Sequence, residues 1–318
     1  MEEPVCPTRR LNVHPSAMPA AVRDRRLAAL ASGRVAPGFL YDSLAQATRW
    51  LQVHEAHSPA RSDPAVHSLY GELGRRLNIH PDVVLSLGCG GGKKDRDLLT
   101  GLWSDGPGGR VMPLDSSPAL ALQGAAAVEG PGRQVQPWIA DLEAPLLRNE
   151  LGISDRATLV VFALGLAPNF APDRFFGLLD DLLRPGEFAV ISVNTSPEAF
   201  GGPSTERIRR QYDNAETRAW LLGGLNELGL SSPRLRYDAA PTGPGTWQIR
   251  VDAELESPRS VGLLGTSVQL PPSLRVLESN RVHAEALDDW LGRYGYRAVH
   301  TLRAPSDEES VLAVRPQE

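Results

Sequence analysis

An α/β fold built on a parallel, doubly wound sheet is predicted for this chain, and three features carry the prediction. A short apolar run, residues 83–87, meets four glycines in five positions (Gly88, Gly90, Gly91, Gly92) and then a helical pattern through Asp95, Leu98, Leu99 and Leu102. Strand and helix patterns alternate from Val83 to Val193, the rhythm of a sheet whose helices cross over its faces. Residues 158–164 (Thr-Leu-Val-Val-Phe-Ala-Leu) are apolar almost without interruption, as a central strand covered on both sides requires.

Taken in order, residues 1–19 are polar and proline-rich and read as a mobile tail. Residues 20–31 turn helical through Val22, Leu27 and Leu30, and Val35-Ala-Pro-Gly-Phe-Leu then leads to Tyr41 and Asp42. A second helix carries Leu44, Ala47, Trp50, Leu51 and Val53. Its end, His54-Glu55-Ala56-His57, is one residue short of the zinc motif H-E-x-x-H, and no further ligand cluster accompanies it, so no metal is expected. A third helix, 63–77, delivers the chain to the glycine strand.

The glycine turn permits positive φ and close approach of a ligand to the backbone, and the helix beyond it offers unpaired N–H groups. A phosphate-binding P-loop would need a hydroxyl where Lys94 stands. A dinucleotide fingerprint needs a third glycine where Lys93 stands. The G-x-G of Gly88 and Gly90 remains compatible with S-adenosylmethionine (SAM), which has no pyrophosphate, and equally with a turn that binds nothing. Residues downstream must decide.

Residues 109–115 read as a second strand ending in Asp115, about 20 residues beyond the loop, where nucleotide folds place a carboxylate on the ribose hydroxyls. An ionised carboxylate only accepts, so it can take both vicinal O–H donors. Asp115-Ser116-Ser117-Pro118 is also an ordinary helix start. A helix over 119–128 and a strand over 134–140 follow. Asp141-Leu142 at its end suits an adenine amino group and ring, or a plain turn. The central strand opens into Gly165-Leu-Ala-Pro-Asn169, which puts Asn169 beyond the carboxyl ends of the strands, where ligands sit in such sheets. Its amide can donate and accept, and it also fits a proline-rich turn. A helix over 173–183, closed by Gly186, and a strand over 187–193 complete the alternation.

The rhythm then changes. Residues 203–230 read as one long helix, broken near Gly223-Gly224, bearing Tyr212, Trp220 and Leu221. Residues 247–255 alternate through Trp247, Ile249, Val251 and Ala253 like a half-buried antiparallel strand. Further strands are expected over 260–270 and 274–277. A helix over 284–294 and strands over 298–302 and 311–314 return to the core. No internal repeat is present.

The bulk numbers bound the function. The chain has 318 residues and a formal net charge of −5, with 38 acids against 33 bases, which argues against general nucleic-acid affinity. No apolar run approaches a membrane span, and the N-terminus lacks the basic stretch and apolar core of a signal peptide. The two cysteines, Cys6 and Cys89, form no disulfide framework, so a reducing cytoplasm is expected; a small-molecule substrate and a monomeric state are expected beside it. Cys89 reads as a small loop residue rather than a nucleophile.

From about residue 20 to 315 the chain resembles the ergothioneine-pathway histidine Nα-methyltransferases. The family's L-G-S-G-x-x-x-K-T-R is matched by Leu87-Gly88-Cys89-Gly90 with Lys94 and Arg96, its acidic strand end by Asp115, and its Asp-Phe by Asp141-Leu142. Its G-N segment is matched by Gly165 to Asn169, its A-Y-D-D-A by Gln211-Tyr212-Asp213-Asn214-Ala215, and its F-Y-D by Leu40-Tyr41-Asp42. The family's Y-Y-P-T-R is here His57-Ser58-Pro59-Ala60-Arg61, and its E-x-S-x-K is Glu278-Ser279-Asn280-Arg281.

The resemblance implies a class I SAM-methyltransferase sheet with an α+β substrate-binding domain made by the N-terminal helices and an insertion. The substrate domain would be 20–77 and 196–282, and the SAM-binding core 78–195 and 283–318. Gly88, Gly90, Lys94, Asp115, Ser116, Asp141 and Leu142 would hold SAM. Asn169 and Tyr212 would grip an acceptor carboxylate, Tyr41 would face the methylated nitrogen, and Glu278 and Ser279 would face the acceptor's side chain. The implied activity is methylation of the amino group of a free amino acid or a small molecule derived from one. The rivals are O- or C-methylation of a specialised metabolite and a non-catalytic relative that binds SAM or an amino acid.

Overall fold

The computed structural model describes residues 10–58, 64–104, 106, 108–231, 233–255, 259–263 and 265–317. In chain order its elements are β1 (Asn12–Val13), α1 (Pro19–Ala31), α2 (Leu44–His57), α3 (Pro64–Leu77), β2 (Val83–Leu87), α4 (Lys93–Leu102), β3 (Arg110–Asp115), α5 (Pro118–Ala127), β4 (Gln134–Val135), β5 (Trp138–Ile139), β6 (Leu159–Leu164), α6 (Pro172–Leu182) and β7 (Phe188–Ser196). There follow α7 (Pro203–Tyr212), α8 (Ala215–Glu227), β8 (Arg234–Gly243), β9 (Thr246–Glu254), β10 (Ser260–Leu263), β11 (Thr266–Gln269), β12 (Ser273–His283), α9 (Leu287–Arg293), β13 (Tyr296–Arg303) and β14 (Glu309–Pro316).

The sheet runs β1-β5-β3-β2-β6-β7 in parallel, with β14 antiparallel against β7 and β13 beyond it. The chain starts at the centre with β2, winds outward through β3 and β5, then crosses back to β6 and β7. That reversal opens a crevice at the carboxyl ends of β2 and β6, where ligands of open α/β sheets bind. Every residue of β2 is buried, because the pleat sends alternate side chains to two covered faces. Val83, Leu85 and Leu87 pack with Phe175, Phe176 and Leu179 of α6 and Trp290 of α9. Val84 packs on the other face with Val66, Leu69 and Leu73 of α3 and Leu98, Leu99 and Leu102 of α4. Helix α3 is therefore part of the core, although the sequence assigned residues 20–77 to the substrate domain. Its apolar residues recur at helical spacing and face the sheet.

The insertion is an antiparallel meander, β8-β9-β12. It joins the core where Val282 and His283 of β12 lie beside Thr195 and Ser196 at the tip of β7. A third cluster joins Leu30, Val35, Phe39 and Leu40 of the N-terminal segment to Leu221 and Leu225 of α8 and to Val251 and Val276 of the meander. The N-terminal segment and the insertion thus form one roof.

Several expectations are corrected. Residues 12–19 are docked rather than mobile. Asn12 donates its N–H to the Pro137 carbonyl at 3.0 Å, and buried His14 engages Ser16 and Glu150; residues 1–9, Cys6 among them, lie outside the described residues, as do 59–61. The 134–140 strand is split at Gln136-Pro137, because proline cannot donate to the ladder. The 203–230 helix breaks at Asp213-Asn214, where the Asn214 side chain accepts from Thr217 N–H at 2.8 Å and starts α8. Gly223 and Gly224 lie inside α8, where α2 crosses so closely that a Cβ on Gly223 would sit 2.3 Å from Arg49 Nη1 and one on Gly224 2.7 Å from Gln46 Nε2. Strand β8 was not foreseen. It is a partly exposed edge strand carrying charged residues and Pro241, and such edges lack a clean apolar pattern. The 260–270 strand is a hairpin of β10 and β11, 274–277 is part of the longer β12, and 284–294 is a 3₁₀ turn (Ala284–Ala286) followed by α9.

Candidate functional site

A cavity of about 310 Å³ lies at the carboxyl ends of β2, β3, β6 and β7, within the size range of small-molecule sites. Its roof is the turn Pro37–Tyr41 and α2, and its far wall is β12 with Tyr212. The floor is the glycine turn. Gly88, Gly90 and Gly92 have φ of 60°, 52° and 67°, so the backbone can curl under the cavity without the strain an L side chain would add. A Cβ on Gly90 would lie 2.8 Å from the Trp50 ring of α2, so the turn and the roof meet there.

Asp115 stands at the tip of β3 and faces the cavity. Its Oδ2 accepts from Gly90 N–H and its Oδ1 from Ser117 N–H, each at 3.0 Å. Burial pushes its carboxyl up to about 6, against the pull of backbone N–H donors from Ser117, Gly90 and Ser116. Each oxygen keeps acceptor capacity beyond the bond it makes. The cap of α5 is Ser117, whose hydroxyl accepts from Leu120 N–H at 3.5 Å. Asp115 is thus not needed as the cap. Ser116 lines the same wall beneath Gly38 of the roof.

Lys94, in the first turn of α4, reaches the cavity wall with its ammonium 2.8 Å from Glu309 Oε1. Glu309 also receives the Tyr70 hydroxyl. Neighbouring Asp95 is buried and takes the Ser86 hydroxyl; burial raises its carboxyl to about 6, with that hydroxyl pulling it down. Asp141 lines the opposite end. Its Oδ2 accepts from Arg25 Nε at 2.7 Å, its Oδ1 from Glu143 N–H at 2.9 Å, and its own N–H donates to Ser16 Oγ at 2.9 Å. Leu142 and Leu166 flank the Gly88 backbone, 3.6 and 3.3 Å from where a Cβ would be. That leaves an apolar slot beside the turn.

On the acceptor side, Tyr41 packs between Trp50 and Trp220, with ring centroids 5.6 and 5.5 Å away. Burial, and then the charge of Asp115, hold its hydroxyl far above the usual phenol range, so it stays neutral. Asn169 ends a 3₁₀ turn (Ala167–Asn169) at the exposed mouth and donates to the Gly165 carbonyl at 3.0 Å. Tyr212 and Ser279 share a 2.7 Å hydrogen bond.

Glu278 is not brought to this cavity with its neighbour. Successive residues of a strand point to opposite faces, so Ser279 enters the cavity while Glu278 pairs with Arg275 Nη1 at 2.6 Å. Glu278 lines a separate space of about 30 Å³ behind Tyr41 and Asn169.

Sequence reasoning missed Trp50, Trp220, Asn194, Arg281 and Glu309, all of which line the cavity. Trp50 and Trp220 carried only a helical-spacing signal that any core residue shares, and nothing local linked Glu309 to Lys94. Cys89 is buried, and burial followed by the charges of Asp115 and Asp95 pushes its thiol well above the usual range, so it stays an unreactive thiol. Among the described residues no group of three His, Cys, Asp or Glu could hold a metal ion, and no helix is long and apolar enough to cross a membrane.

No protein-family model matches the chain, and no curated protein matches it. Solved structures do. The 1,6-didemethyltoxoflavin-N1-methyltransferase of Burkholderia thailandensis, with bound 1,6-didemethyltoxoflavin and S-adenosylhomocysteine, is similar at 15% identity and TM-score 0.44 over 86% of this chain and 89% of that one. The CcbJ methyltransferase of Streptomyces caelestis is similar at 15% identity and TM-score 0.41 over 80% and 97%. CalS10, an amino pentose methyltransferase of Micromonospora echinaspora with bound SAM, is similar at 16% identity and TM-score 0.39 over 83% and 97%. The strand order, with antiparallel β14 lying between β7 and β13, is that of an open, doubly wound α/β sheet.

Proposed function

We propose that the chain is a SAM-dependent methyltransferase acting on the amino group of a free amino acid or of a small molecule derived from one. The observation that carries the reading is Asp115: a buried carboxylate at the tip of the second core strand, steadied by the glycine turn and open to the cavity. A ribose diol supplies the two O–H donors such a group lacks. The donor set around it fits the rest of the cofactor. The slot between Leu142 and Leu166 suits an adenine ring, Asp141 lies at its edge, and Lys94 and Glu309 offer one group of each sign to a zwitterionic amino-acid end.

SAM, when bound, supplies an electrophilic methyl group. The protein's part is alignment, because an amine with a free lone pair needs no strong base, and holding two reactants in line is worth several kcal/mol. Tyr41, neutral and wedged between two indoles, orients the amine by hydrogen bonding. Asn169 meets the acceptor at the mouth, and Trp50 and Trp220 help exclude water. Calorimetric titration with SAM, followed by a labelled-SAM screen of amino acids and their derivatives, tests the reading. Absence of SAM binding refutes it, and binding without turnover across the panel points to a non-catalytic relative. One observation favours a second reading, methylation of a hydroxyl: His54 lines the cavity beside Trp50, and an imidazole is a base that an alcohol needs and an amine does not. Label on oxygen rather than nitrogen decides for it.

A further inference from the structure

Arg281 is 5% exposed, lines the cavity, and lies two residues beyond Ser279 on the same face of β12. Burying a guanidinium is costly unless an anion compensates it. Its partners here are all neutral. Nη1 donates to the carbonyls of Thr195 and Glu308 at 3.1 and 3.3 Å, and Nη2 to the Tyr212 hydroxyl at 3.2 Å. Nε is buried with no hydrogen-bond partner among the described residues. Among the described residues Glu308 pairs with Arg207 and Gln211, and Glu309 pairs through Oε1 with Lys94 and Tyr70; neither carboxylate is hydrogen-bonded to Arg281.

The groups next to Arg281 are donors in excess. Asn194 Nδ2 donates to Ser279 Oγ at 3.3 Å, and Ser279 and Tyr212 share one bond of 2.7 Å. Two hydroxyl protons serve that single bond. If Tyr212 donates, the Ser279 proton is left over; if Ser279 donates, the Tyr212 proton is. Either way the wall presents a spare hydroxyl donor backed by a cation that has the Tyr212 ring centroid 5.9 Å away and no carboxylate partner among the described residues. Such a wall calls for a ligand group that only accepts and carries negative charge.

We infer that Arg281 is a specificity-determining residue, and that the acceptor carries a carboxylate that docks at the Arg281–Tyr212–Ser279 wall. The inference rests on the methyltransferase reading, and it narrows the acceptor class to amino acids with an acidic side chain or derivatives with a second acid group. An aromatic or amide side chain would leave the spare donor and the charge unanswered.

The test uses the whole chain saturated with S-adenosylhomocysteine, titrated with L-glutamate, L-aspartate, L-glutamine, L-asparagine and L-histidine. At least one acid is expected to bind roughly ten- to a hundredfold tighter than its amide and than histidine. Arg281→Gln is expected to remove the preference, and Arg281→Lys to restore part of it, with S-adenosylhomocysteine affinity unchanged in both. Acids that bind no tighter than their amides, absence of binding included, overturn the inference from the unaltered protein alone, so misfolding of a variant cannot rescue it. A preference that persists in Arg281→Gln overturns the residue assignment. Affinity for all five ligands lost alike in Arg281→Gln assigns the wall to the α-carboxylate they share and overturns the second acid group. Failure to bind S-adenosylhomocysteine at all is a different result, and it removes the methyltransferase reading itself.

Discussion

Replacing Asp115 by asparagine keeps the shape of the side chain and removes the charge. The ribose contact in the proposed complex is two O–H groups donated to a carboxylate that already accepts from Gly90 and Ser117. Asparagine has one acceptor oxygen, which takes one of those two N–H groups, while its amide N–H₂ faces the other. One ribose hydroxyl at least loses its acceptor. Hydrogen bonds to charged groups are worth about 1.5–3 kcal/mol each, so the affinity for S-adenosylhomocysteine should fall at least roughly tenfold.

Stability moves the other way with pH. The carboxyl is raised from 3.8 to about 6 on folding, chiefly by burial. A raised carboxyl binds its proton more tightly in the folded chain, so its contribution to stability is present in full below the unfolded value and is lost as pH rises through the folded one. The window is therefore about pH 4 to 6, and the ionised group costs about 3 kcal/mol above it. Asparagine relieves that cost at about pH 8 and adds an unpaired donor worth about 1–3 kcal/mol, so the two nearly cancel. At about pH 3.5, below the unfolded value, only the penalty remains. Calorimetric titration at about pH 8 and melting curves at both pH values check this. A variant that binds S-adenosylhomocysteine within about threefold of the unaltered protein would refute the ribose assignment, and a stability difference independent of pH would refute the ionisation argument.

Asn169→Ala should raise the KM of the amino-acid acceptor by roughly three- to tenfold, with S-adenosylhomocysteine affinity unchanged by titration, since Asn169 stands at the mouth. Lys94→Met strands the buried Glu309 carboxylate and should cost about 3–5 kcal/mol in urea unfolding, with Lys94→Met/Glu309→Gln recovering part of it. Gly92→Ala places a Cβ 2.8 Å from the Gly124 Cα at a φ of 67°; a loss of about 2–5 kcal/mol is expected from left-handed strain and overpacking together, and a melting temperature equal to the unaltered protein's would contradict the turn geometry.

Much of the core was legible because its signals are local. The apolar run 83–87, its glycines and Asp115 some 20 residues on are consecutive stretches whose structure depends mainly on their own composition. The alternation up to Val193 gave the parallel sheet for the same reason. The roof was less legible. Gly223-Gly224 read as a break because glycine is a poor helix former, yet α2 crosses there and its Gln46 and Arg49 side-chain ends occupy the space a Cβ would fill. Residues 12–19 read as loose because the carbonyls of Pro137 and Ile139 that hold them are remote in the chain.

Sequence alone determined the strand–turn–helix at Val83, the parallel alternation beyond it, and the placement of Asp115, Asp141 and Asn169 at strand ends, because each follows from hydrophobic period and turn chemistry within a few residues. Only the tertiary structure decided that Ser279 turns into the cavity and Glu278 away, since the facing of a strand depends on the partner it packs against. It also decided that Lys94 meets Glu309 and that Arg281 is buried with no anionic partner among the described residues. Those relations join residues far apart in the chain, and an electrostatic balance exists only once folding has removed the water between them.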